Sequence, residues 1–249
     1  RQLLTRFDAV LAVGQANRAF YLENGVSPER IFDTPHFIDN QRFMTAAAGL
    51  HERRLDLRRD WGIPADATCF LFSGKLIPKK HPLDALRALG LAVQQGTQAH
   101  LLIAGAGELL AAARELAERE RLPVTFAGFL NQTELAQAYV AADCLVLPSD
   151  HGETWGLVVN EAMACGLPAI VSDQVGCGAD LILAGKTGAI FPMGNVPALA
   201  NLLREFASDT ARLRAMGERA RQRVLADYSV ERAVVGTLEA LRQLASKAG

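Results

Sequence analysis

Two glutamates eight positions apart, Glu153 and Glu161, flank a loop-to-helix junction in the run HGETWGLVVNEAMACGLP at residues 151–168. A helix that starts near Trp155 or Gly156 presents unpaired backbone N–H groups and the positive end of its dipole just after Glu153, a seat suited to phosphate. Glu161 lies further along that helix, where a carboxylate can accept hydrogen bonds from sugar hydroxyls. Taken alone the pair has a plainer role, Glu153 as a cap and Glu161 as a solvated surface residue, because acidic groups near a helix start stabilise it electrostatically. A second cluster, SGKLIPKKHP at residues 73–82, places Lys75 and Lys80 five apart across a strand-to-helix loop, with Pro82 fitting the first turn of the next helix. Two ammonium groups converging there suit a diphosphate, which needs compact charge more than planar recognition; without context they are a solvated loop. A glycosidase would need its two carboxyl groups roughly 5 to 9.5 Å apart, and eight residues of helix rise span about 12 Å, so that chemistry is set aside.

The elements that must position these groups are short apolar runs alternating with amphipathic segments of helix length. Strands are expected at residues 69–74, 99–105, 123–128, 143–149, 168–173 and 188–192, each ending near Gly, Pro, Ser or Asp. Helical spacing of apolar residues marks 82–95 and 108–120, and Asn131 followed by Glu134 resembles a capping box opening a helix through Ala142. Such alternation implies an α/β fold, a doubly wound parallel sheet with helices on both faces, in which ligands bind beyond the carboxyl ends of strands. At the start of the chain a strand at 7–13 is followed by a short helix through Tyr21 to Asn24, stopped by Gly25. At its end two helices, 212–227 and 229–245, break near Asp227-Tyr228. The arginines of the first of these read as a solvated face, since Asp209, Glu218 and Asp227 are interspersed. Three units follow from this pattern: 1–45, the residual end of a preceding domain and a linker; 46–226, a Rossmann-like domain; and 227–249, a C-terminal helix.

Composition bounds the rest. The 249 residues are 50% hydrophobic, enough for an ample core, and 26 basic against 27 acidic side chains leave a net charge of -1. No global field therefore recruits nucleic acid or anionic lipid. The cysteines, Cys69, Cys144, Cys165 and Cys177, show neither CxxC nor metal spacing and suit reduced, buried thiols in a cytosolic setting. No apolar run reaches the roughly 18 residues of a membrane span. The chain opens on Arg1 and enters in mid-pattern, which reads as an excised portion of a longer protein.

With Pro148, Ser149, Gly156, Leu157, Ala162, Met163, Ala164, Gly166 and Pro168 around the glutamate pair, residues 148–168 resemble the signature of family 4 glycosyltransferases. LLIAGAGE (101–108), VTFAGFL (124–130), GCGADLI (176–182), GKTGAIF (185–191), PHFIDNQRF and the closing DYSVERAV are similar to family segments in order, so the likeness covers nearly the whole chain. Lys75 and Lys80 match the family's basic residue and lysine, although Lys75 stands where Arg is commoner. Lys79, His81, Cys177 and Asp180 stand where the family usually has Glu, Gly, Gly and Glu. The resemblance implies the second half of a GT-B fold from a retaining glycosyltransferase, with the tail end of the first domain at the N-terminus. It also implies a nucleotide diphosphate sugar as donor. Glu153 would contact the donor sugar as the catalytic residue, and Glu161 would hold the ribose. Backbone amides from Trp155 through Gly156 and Leu157 to Val158 would meet the sugar-diphosphate, and Lys75 and Lys80 the phosphates. No DxD motif occurs, so neither a metal nor another cofactor is expected. A cytoplasmic enzyme follows, its acceptor a glycan, lipid or small molecule, with any peripheral membrane contact made through the missing first domain. Two alternatives share the site: a nucleotide-sugar epimerase, and a binding module without transfer activity.

Overall fold

The computed structural model describes residues 3–248; residues 1, 2 and 249, at the outer ends of the first and last expected units, lie outside it. In chain order the elements are β1 (Val10–Ala12), α1 (Gln15–Glu23), β2 (Ile31–Asp33), α2 (Asn40–Leu50), α3 (Arg54–Asp60), β3 (Thr68–Ser73), α4 (Pro82–Gln94), β4 (Ala99–Ala104), α5 (Leu110–Glu120) and β5 (Val124–Gly128). There follow α6 (Gln132–Ala141), β6 (Cys144–Leu147), α7 (Leu157–Ala164), β7 (Ala169–Ser172), α8 (Gly178–Leu181), β8 (Gly188–Phe191), α9 (Val196–Ala207), α10 (Thr210–Asp227) and α11 (Val230–Ala248). All six strands expected from the apolar runs form, each within two residues of its expected ends. The capping box at Asn131 is present, with both reciprocal bonds made. The helices α2, α3, α8 and α9 had no counterpart in the expected elements.

The main sheet is parallel throughout, in the order β5-β4-β3-β6-β7-β8. Strands β3, β4, β6 and β7 are buried along their whole length, which is why they read as continuous apolar runs rather than alternating ones. Their successive side chains still point to opposite layers. Phe70, Phe72, Leu101, Ile103 and Val146 pack with residues of α4, α5 and α9, whereas Leu71, Leu102, Leu145 and Val171 join residues of α2, α6 and α7. Phe70 and Phe72 are fully buried, each contributing about 1.5 to 3 kcal/mol by removal from water. Consecutive strands run outward from β3 through β4 to β5, and then from β6 through β7 to β8. The direction of winding reverses between β3 and β6, opening a crevice beyond the carboxyl ends of those two strands.

The first residues form a small parallel pair, β1 with β2, around Val10, Ala12, Val26 and Ile31. A two-stranded sheet is marginal alone. Here α11 packs across both strands, and the buried Asp180 carboxylate accepts the Gln15 N–H at the start of α1, at 3.0 and 3.1 Å. The division expected at residue 45 falls inside α2, whose Phe43 is buried in the main core. The Nδ2 group of Asn40 fixes the entry to that helix by donating to the carbonyls of Val224 and Tyr228 at 3.2 and 3.0 Å.

Candidate functional site

Seven of the eight expected site residues face one cavity of about 510 Å³ in the crevice between β3 and β6: Lys75, Lys80, Glu153, Gly156, Leu157, Val158 and Glu161. The loop after β3 supplies the lysines and the loop after β6 runs into α7, so the reversal of winding is what brings the two segments together. A larger cavity, about 700 Å³, opens between α2, α6 and α10 and holds none of the eight.

Gly156 caps α7 with a left-handed backbone (φ +97°), and a side chain there would sit 3.0 Å from Leu147 and 3.3 Å from Val175. No side chain caps the helix; the Val159 N–H donates to the Gly156 carbonyl at 2.8 Å, which leaves the N–H groups of Leu157 and Val158 toward the cavity. The loop ahead of it is braced from behind. The Gly176 N–H donates to the Glu153 carbonyl at 3.1 Å and the Cys177 N–H to that of Trp155 at 2.9 Å, and a Cβ on Gly176 would lie 1.9 Å from the Thr154 carbonyl oxygen.

Trp155 is the one expected residue that does not line the cavity. Its indole is buried, donates to Asn160 Oδ1 at 2.9 Å, and lies against His36 and Tyr228 with ring centroids 5.0 and 6.2 Å away. An apolar ring with one N–H is more stable in that pocket than beside a charged ligand. The residue joins the first unit to the main domain.

The four charged candidates differ in state. Lys75 is exposed at the rim. The Nζ of Lys80 is bound to Glu153 Oε2 in a half-buried ion pair, so the expected phosphate-binding cation and the expected sugar-binding carboxylate hold each other. Glu161 accepts the Tyr139 hydroxyl at 2.7 Å. Burial pushes its carboxyl above the ordinary carboxylate range, opposed by that hydrogen bond and by the Arg42 guanidinium. Tyr139 was not among the expected residues, and its spacing of twenty-two positions from Glu161 gives no local signal. Lys79, also missed, lines the cavity and donates to the Gly152 carbonyl at 3.1 Å. The doubled lysine at 79–80 was the available signal.

At the outer edge His81 begins α4 in a left-handed conformation, φ 49° and ψ 46°, which costs a residue with a Cβ on the order of 1 to 2 kcal/mol. Its ring stands between two carboxylates, Nδ1 at 3.0 Å from Asp84 Oδ2 and Nε2 at 3.7 Å from Asp150 Oδ2.

A crevice at a reversal of winding, floored by a helix start and edged by lysines and carboxylates, belongs to a Rossmann-like domain, and its groups are of the kinds that can bind anions and hydroxyls. Residues 53–223 match the family described as glycosyl transferases group 1, and the chain belongs to that family. It is 29% identical over 203 residues to a GDP-mannose-dependent monoacylated alpha-(1-6)-phosphatidylinositol monomannoside mannosyltransferase of Corynebacterium glutamicum, covering 79% of this chain and 52% of that one. Among solved structures, sucrose-phosphate synthase from Thermosynechococcus elongatus superposes with a TM-score of 0.73 at 28% identity, covering 99% of this chain and 60% of that one. Anabaena HepE in complex with UDP gives 0.74 at 22% identity, over 98% and 66%, a likeness of fold. The architecture is that of one half of a GT-B fold. The chain spans about half the length of the curated relatives it matches. Among the described residues no helix is long and apolar enough to cross a membrane.

Proposed function

We propose that the chain is the donor-binding half of a retaining, family 4 glycosyltransferase that moves a sugar from a nucleotide diphosphate sugar to an acceptor. The carrying observation is the single cavity that gathers both lysines, both glutamates and the open start of α7. Lys75, Lys80 and the amides of Leu157 and Val158 neutralise the diphosphate, and this stabilisation grows as charge develops on the leaving group. Glu161, oriented by Tyr139, accepts from the ribose hydroxyls. Glu153, freed when the diphosphate takes Lys80, meets the donor sugar as the catalytic residue. Lysines and helix amides carry the phosphate charge in this scheme, which calls on no metal. Trp155 takes a positioning part, through its packing, rather than a binding one.

Support for the donor class comes from relatives whose names specify GDP-mannose and from fold neighbours crystallised with UDP and UDP-glucose. Assayed alone, residues 1–249 should bind donor and turn over slowly, and the reaction proposed is a cytoplasmic one. A melting-temperature panel of UDP-, GDP- and ADP-sugars tests the proposal, because a ligand that binds the native state raises its stability by mass action. One base should raise the midpoint in a concentration-dependent way; no shift with any of the three contradicts the reading. Donor incubated alone should come back with its sugar unaltered, and an epimerised sugar would favour the epimerase alternative.

A further inference from the structure

The cavity of about 700 Å³ between α2, α6 and α10 lies apart from the donor crevice and shares no lining residue with it. We propose that it is a second binding site, for a single-chain amphiphile: an alkyl or acyl chain laid along α2, ending in an anionic head such as a phosphate held by the arginines of α10. It stands independently of the donor-site reading above.

The cavity exists because α2 and α10 both pack on α7 and straddle its end, where Ala164 and Cys165 help to form the floor. Its volume falls in the range of roughly 300 to 1,000 Å³ that small-molecule sites occupy. Met44, Ala47 and Ala48, at i, i+3 and i+4, turn an apolar side of α2 toward it. Arg54 and Asp143 also reach it, but they hold each other, and Arg54 is further committed to the Val140 and Ala142 carbonyls.

The arginines of α10 divide between two tasks. Arg212 pairs with Glu205 at 3.0 Å, Arg219 donates to the Lys186 carbonyl at 3.0 Å and Arg223 to that of Asp180 at 2.9 Å. Arg214 and Arg221 border the cavity instead. Arg221 spends one nitrogen on Glu218 at 2.6 Å, and the Arg214 side chain has no hydrogen bond or ion pair among the described residues. A guanidinium carries five N–H donors in a fork that matches phosphate or carboxylate, so this wall has donor capacity to spare. The lining disfavours a hydroxyl-rich ligand. Its Tyr139 hydroxyl is given to Glu161, which leaves that of Thr210, and a sugar or nucleotide would bury hydroxyls without partners. An apolar chain needs none.

Calorimetry on the 249-residue chain with octyl phosphate, kept below its micelle-forming concentration, tests the site. Octyl glucoside, the same chain on a neutral head, and inorganic phosphate, the head alone, should each bind about tenfold more weakly or worse, the scale of one charged hydrogen bond. Arg214 and Ala48 are exposed, so changing them leaves the core alone. Arg214→Gln should weaken octyl phosphate by about tenfold and leave octyl glucoside unchanged, whereas Ala48→Phe, which fills the cavity, should weaken both. Equal affinity for the two octyl compounds, inorganic phosphate bound as tightly as either, or variants that bind like the wild type overturns the site. So does attachment to phosphatidylglycerol vesicles without binding of octyl phosphate, since the cationic wall would then serve a membrane surface. None of these outcomes touches the donor site, which the nucleotide-sugar panel tests separately.

Discussion

The two ends of the same sheet use the same ingredients to opposite effect. At the base of β3 and β6, Asp143 takes Arg54 at 2.6 Å, Arg58 at 3.1 Å and the Cys69 N–H at 2.8 Å, while the guanidinium groups also reach the carbonyls of Val140, Ala142, Pro64 and Ala67. Nearly every donor and acceptor there is spent on protein partners. At the mouth, Lys75 stands exposed, Lys80 and Glu153 hold only each other, and the start of α7 has no side-chain cap. Apart from the buried Arg58 Nε, which has no partner, that pairing makes the base a strut. Spare capacity facing an open cavity makes the mouth a binding site, and the difference is visible without any ligand.

Substitutions at the two ends should therefore separate stability from binding. The largest effect belongs to Arg58→Ala: its side chain is 5% exposed, so removal leaves the Pro64 and Ala67 carbonyls without that donor and Asp143 with Arg54 as its one guanidinium partner, and should cost about 3 kcal/mol in urea denaturation, with nucleotide affinity of the folded fraction unchanged. Lys80→Ala should cost less stability, because Glu153 borders the cavity and rehydrates. Its nucleotide-diphosphate affinity, by calorimetry, should fall by about 1.5 to 3 kcal/mol, the usual worth of a charged hydrogen bond. A stability loss equal to that of Arg58→Ala would make the mouth a strut as well.

Glu161→Gln should weaken nucleoside diphosphate about tenfold while leaving pyrophosphate binding alone; equal losses for both would remove the carboxylate from the ribose. It carries a second signature. Because burial raises the folded-state carboxyl, its contribution to stability is full below the ordinary value of 4.5 and is lost as pH rises through the folded value. The wild type should lose stability over that window, and the Gln variant should lose less, by urea midpoint at successive pH. Smallest is Asn131→Ala, which lines neither the cavity nor the Asp143 cluster; it removes the capping box for about 1 kcal/mol and should not alter binding.

Much of this contrast was legible in the chain. Strands β3, β4, β6 and β7, buried along their length, leave unbroken apolar runs, and the edge strands β5 and β8 keep short ones, so all six were readable; a lysine pair after the first of them and a loop-to-helix glutamate pair after the fourth suggested one anionic ligand. What the letters hid was long-range. Tyr139 reaches Glu161 from another helix, Lys80 is paired rather than free, and the left-handed state of His81 is imposed by its neighbours rather than by its type. For Trp155 the sequence suggested a backbone contact beside a helix start, and it gave no sign that the ring turns inward against His36 and Tyr228. Helix α2 went unread because it has only two buried residues, Asn40 and Phe43, too few to mark a period.

The most direct test is a crystal structure with whichever nucleotide sugar binds. The diphosphate should lie between Lys75, Lys80 and the amides of Leu157 and Val158, with both ribose hydroxyls on Glu161 and Lys80 withdrawn from Glu153. A nucleotide seated instead in the larger cavity between α2, α6 and α10, with the Lys80–Glu153 pair intact, would contradict the account.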